Sequence, residues 1–348
     1  MRAVYFDEFG VVPEVREVPD PVPSDAGVVV RVEATGLCRS DWHGWLGHDG
    51  DIRLPHVPGH ELVGVIESVG ADVQHFRMGD RVTVPFVCAC GVCPECLSGN
   101  GQVCRNQTQP GFTHWGSYAD LVALHNADIN LIRVPDSLDA GAAALLGCRF
   151  ATSYRGLVHQ AELHESETLV VVGCGGVGLS AVMIGRALGA RVIAVDISQG
   201  ALDTAIRVGA DATLNSSGLS DDEVVARLLE LTDGGAQVSV EALGRENTVA
   251  IAIRSLATRG RHVQIGLLPD DPRLPMGAVI AKELAILGSH GMPASAYPEL
   301  LDLVTSGRLR PELLIGRRIS LDEAPAALAE MSAASPAAGV TLIEVAPY

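Results

Sequence analysis

Thr168-Leu169-Val170-Val171-Val172-Gly173-Cys174-Gly175-Gly176-Val177-Gly178-Leu179-Ser180-Ala181-Val182-Met183-Ile184-Gly185 is the stretch on which the fold turns. It carries no charge, so composition alone would allow a membrane span. It also holds five glycines, and its patterning changes from a β-branched run to a helical period halfway along. A buried strand, a tight turn and a helix over Val177 to Leu188 account for that better. In the pattern G-x-G-x-x-G, Gly173 makes the turn, Gly175 lets the backbone approach a pyrophosphate, and Gly178 allows close helix packing. The helix opening at Gly176 and Val177 offers unpaired N–H groups and a positive dipole end to phosphate. Asp196 ends the following strand, 18 residues after Gly178. A carboxylate there can bind both ribose hydroxyls and repels a 2′-phosphate. Ile197-Ser198-Gln199-Gly200-Ala201 has no Lys or Arg to receive one, so the expected cofactor is NAD rather than NADP.

Downstream the alternation continues. Strands are expected at Arg191 to Val195, Ala212 to Leu214, Gln237 to Val240, Arg261 to Ile265 and Leu284 to Leu287. Helices are expected at Ala201 to Val208, Asp222 to Leu231 and Asn247 to Ala257. Six short strands with helices between them imply an α/β unit, a doubly wound parallel sheet covered on both faces. Upstream, Val28 to Val32, Leu62 to Val69 and Arg81 to Val84 read as closely spaced strands of a barrel-like unit. After Gly288 come helices near Tyr297 to Thr305 and Leu321 to Met331, then a strand around Val340 to Val345. The expected division is 1–150, 151–287 and 288–348. No internal repeat or low-complexity tract is present.

The 348 residues carry 47% hydrophobic and 19% charged side chains and a net charge of −17. A large core is affordable, and polyanions are repelled, so nucleic acid is a poor partner. Acids occupy the place of a signal's apolar core in Met1-Arg2-Ala3-Val4-Tyr5-Phe6-Asp7-Glu8, and the chain reads as cytoplasmic, without a membrane.

Eight cysteines in such a chain need an explanation other than disulfides. Cys90, Cys93, Cys96 and Cys104 can wrap one Zn²⁺ tetrahedrally and leave no open position, which makes a structural site. An iron–sulfur cluster is the chemical competitor. Cys38 and His60 are too dispersed for spacing alone to identify as ligands, and Cys88 and Cys174 remain without a role.

Taken in order, Cys38-x-Ser40-Asp41-x-His43, Gly59-His60-Glu61, the four-cysteine run, Cys148 with Thr152, and Gly173 to Gly178 resemble the zinc-dependent alcohol dehydrogenases of the medium-chain dehydrogenase/reductase family. The resemblance runs from end to end. It implies a GroES-like β-barrel catalytic domain carrying two zinc ions, a Rossmann domain, and a C-terminal segment returning to the first. Substrate and nicotinamide would meet between the domains.

A catalytic zinc held by Cys38, His60 and Cys148, with a fourth position open, is implied by the same match. Glu61 resembles a nearby exchanging carboxylate, and Asp41 resembles the group orienting His60. Ser40 and His43 match a proton relay; Arg39 matches a pyrophosphate contact, Thr152 a carboxamide contact and Val177 a nicotinamide-packing residue. Phe86 matches a substrate-pocket aromatic and Trp45 would add to the same wall, with ordinary core as the alternative for both. Where many relatives carry a pyrophosphate-binding arginine, Ala338-Gly339-Val340 stands instead, so one phosphate contact is expected to be missing. A cysteine at position 148 separates this chain from polyol dehydrogenases, which usually have a carboxylate there. The substrate would be a small alcohol, aldehyde or ketone, and the assembly a homo-oligomer, tetramer before dimer. The alternatives are a dehydrogenase of a specialised substrate (a polyol, a formaldehyde adduct or an amino-acid alcohol) and a zinc- and NAD-binding module without turnover.

Overall fold

A computed structural model describes residues 1–332 and 339–345. Two compact units divide the chain. The first comprises Met1–Ala151, Gly291–Thr305 and Ile315–Tyr348, and the second Thr152–His290 and Ser306–Leu314.

The first unit is built on a seven-stranded sheet plus a hairpin of Arg2–Tyr5 and Glu14–Glu17. Its centre is Val28–Gly36, which pairs antiparallel with Leu62–Val69, Leu121–Leu124 and Val340–Glu344. Leu62–Val69 then pairs with Arg81–Thr83, and that strand with Ile132–Arg133. Val28, Val30, Val32, Leu62, Ile66, Val82 and Tyr118 form the buried core on one side. The other edge is Ile315–Ser320, parallel to Val340–Glu344. Its sequence, Ile-Gly-Arg-Arg-Ile-Ser, has too little apolar alternation to be read as a strand.

In the second unit the glycine-rich stretch folds as expected: strand Thr168–Val172, then helix Gly176–Ala187. The six strands are all parallel. In chain order they are Thr168–Val172, Arg191–Asp196, Ala212–Asn215, Ala236–Glu241, Leu256–Gln264 and Ala285–Gly288. Their spatial order is third, second, first, fourth, fifth, sixth. The order of strand addition therefore reverses between the parallel neighbours Thr168–Val172 and Ala236–Glu241, and the crevice at their carboxyl ends is where such sheets bind ligands. Both strands are buried almost throughout; Thr168–Val172 shows this as an unbroken apolar run, whereas Ala236–Glu241 alternates apolar residues with Gln237, Ser239 and Glu241.

The helix expected to reach Ala257 stops at Arg254, and a strand begins at Leu256. Leu256 pairs with Ala236, so sheet pairing overrides the continuing helical period. A helix at Met276–Lys282 was not expected; it buries none of its residues and so leaves no amphipathic trace. Among the described residues no helix is long and apolar enough to cross a membrane. Ala338, part of the missing-arginine motif, lies outside the described residues.

Candidate active site

In the first unit the ligand atoms of Cys38, His60, Glu61 and Cys148 all lie within 4.8 Å of one another. Each arrives from a different local device. Cys38 is the N-cap of the helix Arg39–Trp45, and the Asp41 side chain closes the cap by accepting the Cys38 N–H at 3.0 Å. The same carboxylate accepts the Gly59 N–H at 3.1 Å and the Tyr118 hydroxyl at 2.8 Å. Its Oδ1 also lies 2.9 Å from His60 Nδ1. Gly59 has φ +108°, and a Cβ there would lie 2.4 Å from the Tyr118 ring, so only glycine lets His60 follow. With Nδ1–H donating to Asp41, the other ring nitrogen, Nε2, is left as a buried atom with no hydrogen-bond partner. Two thiols beside an orphaned imidazole nitrogen form a donor set that suits Zn²⁺.

Burial opposes protonation of His60, but Asp41 and Cys38 outweigh it and hold the imidazole well above its ordinary value. The hydrogen bond with Cys148 holds the Cys38 thiol well below its ordinary value, and that same contact raises Cys148. A bound cation competes with the remaining protons for these atoms.

Cys148 sits in a π-helical turn, Leu146–Phe150. Wide turns of this kind are frequent at functional sites. The Tyr297 hydroxyl donates to the Leu146 carbonyl at 3.1 Å and helps secure the turn. The next residue, Arg149, escaped the sequence reading. Its Nε donates to Glu61 at 2.9 and 2.8 Å and its Nη2 at 2.5 Å. Breaking a buried pair of this kind by removing one partner typically costs about 3–5 kcal/mol. A lone cation inside the apolar run Ala140-Gly141-Ala142-Ala143-Ala144-Leu145-Leu146 to Phe150 was the available signal, because a buried arginine requires a partner.

Ser40 and His43 lie on the helix Arg39–Trp45, and His43 Nδ1 is 2.9 Å from His48 Nδ1. His48 was also not singled out from sequence. Burial, then His48 and Arg39, lower the His43 pKa. Arg39 stacks 4.4 Å from the Trp42 ring and donates to the Met331 carbonyl. Trp45 is core: its indole N–H donates to the Val11 carbonyl at 2.6 Å and its ring belongs to the buried cluster around Val57 and Tyr118. Phe86 and Phe112 flank His60, with ring centres 6.1 and 5.2 Å away. Phe112 was missed because nothing local distinguishes it from an ordinary core aromatic.

The sulfurs of Cys90, Cys93, Cys96 and Cys104 also lie within 4.8 Å of one another. Around a single Zn²⁺ with bonds of about 2.3 Å, sulfurs sit roughly 3.8 Å apart; Cys93 Sγ lies 3.3 and 3.6 Å from those of Cys96 and Cys104. The Cys90 and Asn106 N–H groups donate to Cys104 Sγ at 3.3 and 3.4 Å. N–H groups of Val92 and Cys93 lower the Cys90 thiol to about 6, whereas burial raises Cys93 and Cys104. Backbone donors aimed at sulfur favour thiolates, the form a metal needs. Cys88 and Cys174 are buried elsewhere, and burial raises both thiols, Cys88 to about 12.

In the second unit Gly173 has φ +96°, and a Cβ on Gly178 would lie 1.7 Å from the Gly173 carbonyl oxygen. Gly175 faces open space, the room a phosphate requires. Asp196 accepts the Cys174 N–H at 2.7 Å and the Ser198 N–H at 2.9 Å, which fixes its carboxylate beside the loop. The Ser153 hydroxyl donates to the Val177 carbonyl at 2.9 Å, and the Thr152 carbonyl accepts from Ser289 at 2.8 Å.

A chain of polar groups runs from buried Ser239 through buried His262 and half-buried Gln264 to buried Glu241, at 3.0, 3.1 and 2.5 Å. Glu241 also accepts the Leu243 and Gly244 N–H groups at 2.9 Å, so it fixes the loop opposite Gly173. Alternate strand positions pointing one way set up this network, which local sequence does not reveal.

Two family models match the chain, one described as the alcohol dehydrogenase GroES-like domain over residues 24–136 and one as zinc-binding dehydrogenase over residues 176–306. A NAD-dependent alcohol dehydrogenase of Sulfurisphaera tokodaii is 32% identical over 340 residues, 94% of this chain and 95% of that protein. An alcohol dehydrogenase of Geobacillus stearothermophilus is 32% identical over 313 residues, 89% of this chain and 90% of that protein. Among solved structures, the alcohol dehydrogenase TADH from Thermus sp. ATN1 superposes with a TM-score of 0.89 at 30% identity. It covers 99% of this chain and 100% of that one.

Gly178→Ala is expected to weaken NADH binding by about tenfold or more, the equivalent of roughly 1.4 kcal/mol. A fluorescence titration checks this, and unchanged affinity would refute the glycine-loop assignment. Cys96→Ser is expected to remove one zinc per chain and lower the thermal midpoint by about 5–10 °C. Metal analysis beside calorimetry checks it, and an unaltered midpoint would deny the cluster a structural role.

Proposed function

The chain belongs to the zinc-dependent alcohol dehydrogenases of the medium-chain dehydrogenase/reductase family, and we propose that Cys38, His60 and Cys148 form its catalytic metal site. The enzyme transfers a hydride between an alcohol, or its aldehyde or ketone, and NAD. The observation that carries the site assignment is the orphaned His60 Nε2 between two thiols, with Asp41 behind the ring. Zinc at this place supplies Lewis-acid polarisation of the substrate oxygen, and NAD supplies the hydride acceptor.

The residues do the rest. Asp41 holds His60 in one tautomer and one orientation. Phe86 and Phe112 shape an apolar wall beside His60, which favours aliphatic or aromatic alcohols over polyols. Gly173, Gly175, Gly176, Val177 and Gly178 cradle the dinucleotide, Asp196 takes the ribose hydroxyls, and Thr152 serves the nicotinamide end. Asp196 also disfavours NADP. Ser40 and His43 carry the alcohol proton outward, and His48, exposed and bonded to His43, offers its exit to solvent. Cys90, Cys93, Cys96 and Cys104 hold a second, structural zinc. A cytoplasmic homo-oligomer, tetrameric before dimeric, is the assembly we favour.

Reduced nicotinamide is expected to accumulate when NAD meets primary, secondary and aromatic alcohols, far faster than with NADP, and chelation is expected to abolish it. Polyol-only turnover would move the reading to a specialised dehydrogenase, and no turnover despite bound zinc and NAD would leave a binding module.

Because the His43 pKa is lowered, its proton-accepting form persists below the usual histidine range. His43→Gln is therefore expected to slow alcohol oxidation by about tenfold to a hundredfold near pH 7, where hydroxide is scarce. The deficit narrows as pH rises. A pH–rate profile parallel to that of the unaltered enzyme would rule out the relay.

A further inference from the structure

Glu61 stands between the Arg149 guanidinium and the ligand atoms of the proposed metal site. A carboxylate oxygen lies within 4.8 Å of the ligand atoms of Cys38, His60 and Cys148, close enough to join them around one ion. Arg149 engages both oxygens instead, with Nε at 2.9 and 2.8 Å and Nη2 at 2.5 Å. The side chains are 5% and 0% exposed, so water screens neither. Resting on the metal site proposed above, we propose that Arg149 is a positioning residue that keeps Glu61 off the metal and the fourth coordination position open to substrate.

The surroundings leave Glu61 few alternatives. A Cβ on Gly36 would lie 2.4 Å from Glu61 Oε2, so the backbone closes that side. Arg149 is itself tied down. Its Nη2 donates to the Leu37 carbonyl at 3.2 Å, and its backbone N–H donates to Glu61 at 3.3 Å. The turn Leu146–Phe150 that delivers Cys148 also delivers Arg149, so ligand and clamp move as one body.

Charge decides the consequence. Two thiolates and a neutral imidazole balance a divalent ion. A bound Glu61 would make the centre anionic and four-coordinate, the closed arrangement of structural zinc sites. Its pull on a substrate oxygen would weaken accordingly. With Arg149 in place, the Glu61 charge is compensated outside the coordination shell. Without the guanidinium, a buried unpaired carboxylate turns to the one other cation within reach, the metal.

The test is imidazole binding to the cobalt(II)-substituted enzyme, read from its visible absorption, because imidazole enters only an open coordination position. Arg149→Met is expected to raise the imidazole Kd by about tenfold or more, as the open fraction falls to a tenth or less. Arg149→Met combined with Glu61→Gln is expected to return it to within about threefold of the unaltered enzyme, since the amide no longer competes. Arg149→Lys keeps the charge but not the fork, and is expected to fall between.

An unchanged Kd in Arg149→Met overturns the proposal, as does a weakened Kd that Glu61→Gln fails to restore. If Arg149→Met does not fold, an unchanged Kd in Arg149→Lys overturns it. Cobalt that enters only at Cys90, Cys93, Cys96 and Cys104, with a spectrum blind to imidazole in the unaltered protein, removes the metal assignment itself and this proposal with it.

Discussion

Four donors converge on the Asp41 carboxylate, and the first unit's chemistry depends on that convergence. By accepting the Cys38 N–H, Asp41 caps the helix that bears Ser40 and His43. It also sets the tautomer of His60, and it pins the Gly59 backbone and the Tyr118 hydroxyl. A buried carboxylate needs several donors to offset lost hydration. Here those donors are the groups that must be fixed in space. One constraint thereby links the start of the helix Arg39–Trp45, the Gly59-His60 segment and Tyr118 ahead of the strand Leu121–Leu124, three pieces that share no local sequence.

Behind the proposed metal centre lies a second layer of charge. Arg149 and Glu61 form a buried ion pair beside the two thiols and the imidazole. Such pairs contribute little net stability compared with apolar packing of the same volume. Their retention makes sense where a charge must be held in one place and not another. The four-cysteine cluster shows the opposite design. Its donors come from one short irregular segment, its backbone N–H groups point at sulfur, and all four sulfurs are within reach of a single ion. Nothing is left open for a substrate.

In the second unit steric exclusion does the organising. The Gly173 carbonyl occupies the space a Gly178 side chain would need, so strand and helix meet at backbone distance. Across the reversal point of the sheet, the chain Ser239, His262, Gln264 and Glu241 fixes the facing loop. The proposed dinucleotide site thus has backbone held by glycines on one side and by a satisfied buried carboxylate on the other.

The second unit was legible in the sequence because its information is local. A β-branched run, three glycines and an acid at the next strand end act over neighbouring residues, and all six strands overlap the segments that alternation marked, although the fifth starts earlier, at Leu256. The four-cysteine cluster was legible for the same reason. Cys38, His60 and Cys148 came from a family resemblance and not from spacing, since no short-range rule relates residues so far apart. Arg149, Phe112, Tyr118 and His48 stayed hidden because each acquires its role only from partners the fold brings to it. Trp45, for which both a pocket wall and ordinary core were open, lies in the buried cluster around Val57 and Tyr118. What the sequence by itself determined was backbone grammar and short-range chelation, where the energy is decided within a few residues. What only the tertiary structure decided was which buried charge faces which, because electrostatic pairing in a low-dielectric interior depends on distance in space, and sequence separation carries no such distance.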